Sequence, residues 1–387
     1  MTSLDDFAHS VLQIQRERGL HRSLRTVRSI DGRTAEIDGK VVLNLGSNNY
    51  LGLAQHPEVI SAATDALAKW GAGATGSRLT SGTSALHSSL EAEIAEWKGA
   101  EAALLFSSGY ACALGTIPAL VNEKDLVLSD ELNHASLIDA SRLSRATVRV
   151  FRHNDTPQLF SLLADRHRFR HALVVTEGVF SMDGDLAPLP ALVDICEHAD
   201  AWLMLDDAHG GGILGPAGAG TAAHYGLTDK VPIQMGTLSK ALGAEGAFIA
   251  GSRPLIDMLT NKARSFIFST ASSPYIAAAA RKAIEIAQSD EERRERLYIN
   301  GSLLRDGLKA AGYSVPAGIT PIIPVIIGEP EKTVALSQRL LEHGIWAPAI
   351  RPPTVPEGQA RLRISLTAAH TVTDIKTIIK AFKDETE

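Results

Sequence analysis

Residues 202–210 read WLMLDDAHG. Four apolar residues in a row end abruptly in two carboxylates, and small residues follow. The run lacks the polar–apolar alternation of a half-exposed strand, so it reads as a strand buried on both faces. The same form recurs outward in both directions: ALVVTE (172–177), VRVFRH (148–153), DLVLSD (125–130) and ALLFS (103–107) before it, IQMGT (233–237) and AFIAG (247–251) after it. Helical stretches separate most of these runs. Alternating strands and helices imply an α/β domain with a mainly parallel sheet. Ligands of such sheets bind beyond the carboxyl ends of the strands. That rule singles out Ser107, Asp130, Glu177, Asp206 and Thr237.

Upstream, Pro57–Trp70 reads as a helix with proline at its start and Gly71 past its end. VVLNL (41–45) predicts a short strand leading into SNNYLGL. Residues 1–28 predict a helix and then a stretch rich in arginine: Arg16, Arg18, Arg22, Arg25 and Arg28. Downstream, 274–311 has helical periodicity and predicts one long connector. TPIIPVIIG, IWAPAI and ARLRISLT read as strands. EKTVALSQRLLEHG reads as a helix closed by Gly344, and TVTDIKTIIKAF as one opened by a Thr371/Asp374 capping box. The expected division is an N-terminal helical arm and short strand (1–46), a large ligand-binding domain (47–285) and a smaller C-terminal α+β domain (286–387).

The chain has 387 residues and a net charge of −6, the wrong sign for a nucleic-acid coat. Its two cysteines, Cys112 and Cys196, make neither a disulfide framework nor a four-ligand zinc site, and both read as small buried hydrophobes. No apolar run is long enough to span a membrane. MTSLDDFAHS, the first ten residues, carries acid where a signal peptide carries base. The expectation is a cytoplasmic, metal-free enzyme that binds neither nucleic acid nor membrane.

Glycine is abundant, at 32 residues. GAGATG (71–76) matches G-x-G-x-x-G literally. A dinucleotide site needs a strand before that motif and a helix opening in it; here a helix precedes it, so a turn is expected. His167 and His171 have metal-ligand spacing but lie in RHRFRH and read as solvated. Lys240, in GTLSKALGAEG, follows a strand and is flanked by Thr237, Ser239 and glycines that leave room for a ligand. A desolvated lysine there suits a Schiff base. Asp206 suits the partner of a pyridinium nitrogen. SSGY (107–110) opens a helical stretch, and main-chain N–H groups at such a start suit a phosphate. His134, in LNHASLIDA, suits stacking on a flat ring.

GTLSKALGAEG, DDAHG, LNHASLIDA, TEGVFSMDGDLAPL and SNNYLGL together resemble the α-oxoamine synthases, pyridoxal-phosphate (PLP) enzymes of fold type I. The resemblance runs from about residue 10 to 380. It implies a large domain with a mixed, mainly parallel sheet flanked by helices, and a homodimer with shared active sites. Position by position, it implies Lys240 as the lysine that carries pyridoxal 5'-phosphate, Asp206 at the ring nitrogen, His209 at the ring hydroxyl and His134 over the ring. It implies Gly109, Tyr110, Thr237 and, across the dimer, Thr270 at the phosphate, with Ser181 a further cofactor contact. Asn48 and Arg363 match the residues that hold the amino-acid carboxylate; Thr354 and Arg22 match acyl-substrate contacts. The tail AIRPPTVPEGQARLRISLTAAH is most similar to the branch that condenses L-alanine with a pimeloyl thioester, CoA or carrier-protein bound, in biotin synthesis. The branches that form 5-aminolevulinate or 2-amino-3-oxobutyrate stay open as alternatives.

Overall fold

In the computed structural model, residues 3–18 and 20–386 are described; Met1 and Thr2, within the stretch read as an N-terminal helix, lie outside the described residues, as do Gly19 and Glu387. Three short strands come first: β1 (Val27–Ser29), β2 (Thr34–Ile37) and β3 (Lys40–Asn44). Next come β4 (Ala102–Phe106), β5 (Leu126–Asp130), β6 (Thr147–Phe151), β7 (Ala172–Glu177), β8 (Trp202–Asp206), β9 (Ile233–Thr237) and β10 (Ala247–Gly251). The chain ends with β11 (Ile322–Gly328), β12 (Ile345–Trp346), β13 (Ala349–Ile350) and β14 (Ala360–Ser365).

Strands β4 to β10 form one seven-stranded sheet in the order β4-β10-β9-β8-β7-β5-β6. Only β10 runs against its neighbours; the other pairings are parallel. Both faces of the sheet are apolar, as the unbroken runs require. Leu173, Val175 and Met204 enter the core on one face, and Val174, Leu203 and Leu205 that on the other. The run at 148–153 departs from the expectation. β6 is an edge strand, and Val148 and Val150 are exposed.

Helix Pro57–Trp70 has the predicted bounds, with Gly71 at its C-cap. The stretch 274–311 is two helices rather than one connector, Pro274–Ser289 and Glu291–Ala310. Asp290 breaks them: its backbone leaves the helical region, and its carboxylate accepts from Arg293 N at 3.0 Å as an N-cap. IWAPAI is likewise split. β12 pairs in parallel with β3, whereas β13 pairs with β14 in a three-stranded sheet with β11. β14 carries Arg363, and the Thr371 capping box opens the last helix. No helix among the described residues is long and apolar enough to cross a membrane.

Candidate active site

The carboxyl ends of β4, β5, β7, β8 and β9 open along one edge of the large sheet, and most of the residues singled out collect there. Asp206, last in β8, is in register with Glu177, last in β7. Both are buried. Asp206 accepts a hydrogen bond from Ala208 N at 3.0 Å. Burial pushes its pKa up to about 6, against the pull of Lys240 and of that N–H. Burial and the neighbouring Asp206 push Glu177 up to about 8, and its Oε1 has no partner among the described residues.

Lys240 lies in the turn between β9 and β10, with Nζ 2.9 Å from His209 Nε2. Desolvation lowers its pKa, offset in part by Asp206 and Glu177. His209 is held well below the usual imidazole range by burial, and then by the positive charges of Lys240 and Arg363. Its Nδ1 is 2.7 Å from the Tyr50 hydroxyl, which lies 3.1 Å from Asn48 Oδ1. Arg363 reaches in from β14. Its Nη1 donates to Asn48 Oδ1 at 3.1 Å and Ser365 Oγ at 2.8 Å, and its Nε to the Ser181 carbonyl. A lysine, a histidine, a tyrosine, an amide and a guanidinium from four separate parts of the sequence thus form one connected chain.

The glycines beside Lys240 serve differently from the expectation. Gly243 takes φ +62°, and a Cβ there would fall 2.3 Å from Ala54 N. It packs the turn against that loop rather than making room for a ligand.

Helix Gly109–Leu120 begins at the end of β4, capped by Ser108 Oγ on Ala111 N. The first-turn N–H groups of Gly109 and Tyr110 have no helical acceptor. The Tyr110 hydroxyl turns outward to Asp139. Thr237 ends β9, its hydroxyl 2.7 Å from Ser239 Oγ and donating to Gly246 O at 2.9 Å. His134 caps helix Ala135–Leu143 through Nδ1, 3.2 Å from Ser136 N, and its ring opens onto a groove of about 560 Å³. Ser181 and Thr354 line the same groove.

Two residues stand apart. Arg22 is exposed and lines a neighbouring hollow, which shares Pro353 with the groove. Thr270 is exposed, bridges to Ser77 and lines a small separate cavity with Ser107. GAGATG is the turn expected, its Gly76 carbonyl accepting from Ala271 N. His167 is exposed, as expected, whereas His171 is half-buried and stacks on Trp202 with ring centroids 4.5 Å apart. Cys112 and Cys196 are buried.

Sequence reasoning gave no role to Tyr50, or to Lys98 and Asp207. The last two form an ion pair at 3.1 Å, each side chain 1% exposed. Asp207 also accepts from Thr221 N at 3.0 Å and from the Thr221 hydroxyl. Gly220, at φ +105°, is required there, since a Cβ would fall 1.8 Å from Asp207 Oδ2. The pair ties the 208–221 segment, which carries His209, to the helix before β4. The doubled acid in LDDAH was the available signal: one carboxylate serves the strand end, the other faces inward.

The family model for aminotransferase class I and II matches residues 40–382. The chain is 48% identical over 372 residues to an 8-amino-7-oxononanoate synthase of Geobacter sulfurreducens, covering 96% of this chain and 95% of that one. Among solved structures it is similar to a serine palmitoyltransferase variant from S. paucimobilis with a bound PLP–myriocin aldimine, at TM-score 0.93 and 32% identity, covering 98% and 96% of the two chains. It is also similar to an 8-amino-7-oxononanoate synthase from Francisella tularensis, at TM-score 0.78 and 26% identity, covering 89% and 97%. The chain belongs to the aminotransferase class I and II family.

Proposed function

We propose that this protein condenses L-alanine with a pimeloyl thioester to give 8-amino-7-oxononanoate, carbon dioxide and free thiol, using pyridoxal 5'-phosphate, as a cytoplasmic homodimer in biotin synthesis. The observation that carries the chemistry is the run of contacts from Lys240 through His209, Tyr50 and Asn48 to Arg363. The near-full-length relatives named 8-amino-7-oxononanoate synthase carry the choice of substrates.

The residues fit the cofactor. Asp206 is a carboxylate at a strand end whose charged form burial disfavours, and a protonated ring nitrogen beside it would stabilise that form. The open N–H groups of Gly109 and Tyr110, with the Thr237 hydroxyl, suit a phosphate. His134 faces the groove where a ring would lie, with Ser181 beside it. Bound pyridoxal phosphate supplies an electron sink for negative charge at the α-carbon of the amino acid.

Arg363 and Asn48 bind the alanine carboxylate, a planar pairing that a guanidinium favours. Lys240 would hold the cofactor, and because desolvation lowers its pKa, its free amine would be neutral and able to accept a proton near neutral pH. It would take the α-proton, the α-carbon then accepting the acyl group as the thiol leaves, and would return a proton to the same carbon after carbon dioxide has left. Asp206 keeps the ring nitrogen protonated throughout. His209 orients the ring oxygen. Thr354 and Arg22 flank the groove and hollow available to the acyl donor, whether its thiol is coenzyme A or a carrier protein. Thr270, exposed and outside the groove, suits a hydroxyl given to the second subunit's phosphate.

The test is a turnover panel of purified protein with alanine, glycine and serine against acetyl-, succinyl-, pimeloyl- and palmitoyl-thioesters. Alanine with a pimeloyl thioester should give the highest kcat/KM, and Lys240→Ala should abolish it. Preference for glycine with a short thioester would instead make the protein a 2-amino-3-oxobutyrate- or 5-aminolevulinate-forming enzyme.

A further inference from the structure

Tyr50 is fully buried, and its hydroxyl has one proton to give. Four polar groups surround it: His209 Nδ1 at 2.7 Å, Asn48 Oδ1 at 3.1 Å, Arg363 Nη2 at 3.4 Å and the Ser365 hydroxyl, which already accepts from Arg363 Nη1 at 2.8 Å and can give Tyr50 its own proton. The guanidinium only donates, and the amide oxygen only accepts. The Tyr50 proton therefore points either to Asn48 or to His209.

Each choice fixes the histidine. With the proton toward Asn48, His209 must carry hydrogen on Nδ1 to donate to the tyrosine oxygen, and Nε2 is a bare acceptor. With the proton toward His209, Nδ1 is bare and the ring hydrogen is on Nε2, donating toward Lys240. The doubly protonated ring is disfavoured: burial, Lys240, Arg363 and His134 all oppose it. The charged groups facing Tyr50 itself are Arg363 and Glu177.

We propose that Tyr50 is a positioning residue that couples the carboxylate end of the site to the lysine end, by setting which nitrogen of His209 carries the proton. The coupling rests on the reading of Arg363 and Asn48 as the carboxylate site. In the free protein Asn48 Oδ1 is already engaged by Arg363 Nη1 at 3.1 Å, and the Tyr50 oxygen lies nearer to His209 Nδ1, at 2.7 Å, than to Asn48 Oδ1, at 3.1 Å, so the tyrosine proton goes to the histidine. A carboxylate that draws Arg363 to itself leaves that oxygen to Tyr50 alone, and the tyrosine proton turns to it. His209 then takes a proton from water at Nδ1 and gives one to water at Nε2, its charge unchanged. Nε2 changes from donor to acceptor, so a hydroxyl bound against it keeps its own proton to higher pH.

The experiment uses the cofactor-loaded protein without turnover. Propionate serves as the carboxylate, because it lacks the amine that would displace Lys240. The readout is the pH midpoint of the cofactor absorbance change. In the unaltered protein saturating propionate should raise this midpoint; in Tyr50→Phe most of the rise should be lost, although propionate still binds. An undiminished rise in Tyr50→Phe would show that the carboxylate acts by charge alone, and would overturn the coupling. So would the absence of any rise in the unaltered protein. Should Tyr50→Phe fail to fold, 15N-histidine NMR of the unaltered protein decides: the His209 signals must pass from the Nε2–H to the Nδ1–H form on adding propionate, and an unchanged form overturns the proposal. Failure of the synthase reading is separate, since it appears as no turnover of alanine with pimeloyl thioester while the propionate effect persists.

Discussion

At the residue scale, two neighbouring carboxylates divide the work, and they can be separated. Asp206 faces the site, with Ala208 N as its hydrogen-bond donor. Asp206→Asn keeps the shape and removes the charge. Turnover should fall roughly 10²–10³-fold, the usual cost of losing one preorganised electrostatic partner. Cofactor retention, followed by absorbance after dialysis, should fall with it; normal retention and rate would remove Asp206 from the ring nitrogen. Asp207 faces away, buried and paired with Lys98. Lys98→Met leaves that carboxylate buried without its cation, a break that costs about 3–5 kcal/mol. The denaturant midpoint should drop accordingly, and a loss under 1 kcal/mol would mean that Thr221 suffices to hold Asp207. Lys240, Asp206, His209 and His134 were legible because each sits at or just past a strand end within its own motif. Tyr50 was not, because its partner His209 lies 159 positions away. Only folding brings them together.

At the scale of elements, the loop after β7 carries Ser181 and is held from two sides. Arg363 and Arg361 of β14 donate to the Ser181 and Met182 carbonyls. On the other side His153, just past β6, bridges Asp130 at 3.1 Å and Asp185 at 2.9 Å. Burial opposes the charged imidazole, but the two carboxylates outweigh it and raise its pKa to about 10. An unfolded histidine titrates near 6.5. The clamp's contribution is therefore whole below about pH 6.5 and is lost as pH rises through about 10. Thermal midpoints measured from pH 6 to 10 should fall more steeply for the unaltered protein than for His153→Gln; parallel curves would mean that His153 is not charged. All seven strands of the large sheet could be read in the sequence because six are buried on both faces. β6 reads alike but lies at the edge, and an apolar run does not encode strand order. IWAPAI reads as one strand because nothing local marks where the chain leaves one sheet for another. The β1–β2 pair went unread for a different reason: β1 is three exposed residues, and β2, with Ala35 and Ile37 buried, is four residues long, too short for its apolar alternation to stand out.

At the scale of the molecule, one chain carries most of a site and a surface that asks for cover. The helix Leu4–Glu17 buries none of its residues, yet Leu4, Phe7, Val11 and Ile14 are exposed along it. Thr270 stands outside the groove that contains His134, Ser181 and Thr354. Both features are explained if two chains pair and each lends its Thr270 hydroxyl to the phosphate in the other. Light scattering should then give twice the chain mass of 41.2 kDa. A hydrogen bond to a charged group contributes about 1.5–3 kcal/mol, so Thr270→Val should raise the cofactor dissociation constant roughly 10–100-fold. The decisive measurement uses mixed dimers of Lys240→Ala and Thr270→Val chains. In a mixed dimer the intact Lys240 belongs to the Thr270→Val chain, whose phosphate receives its hydroxyl from the Lys240→Ala partner. Its catalytic site should therefore hold cofactor with the unaltered affinity, tighter than in Thr270→Val homodimers. If the hydroxyl acted within its own chain, mixing would restore nothing, and a mixed dimer as weak as the Thr270→Val parent would place Thr270 outside any shared site.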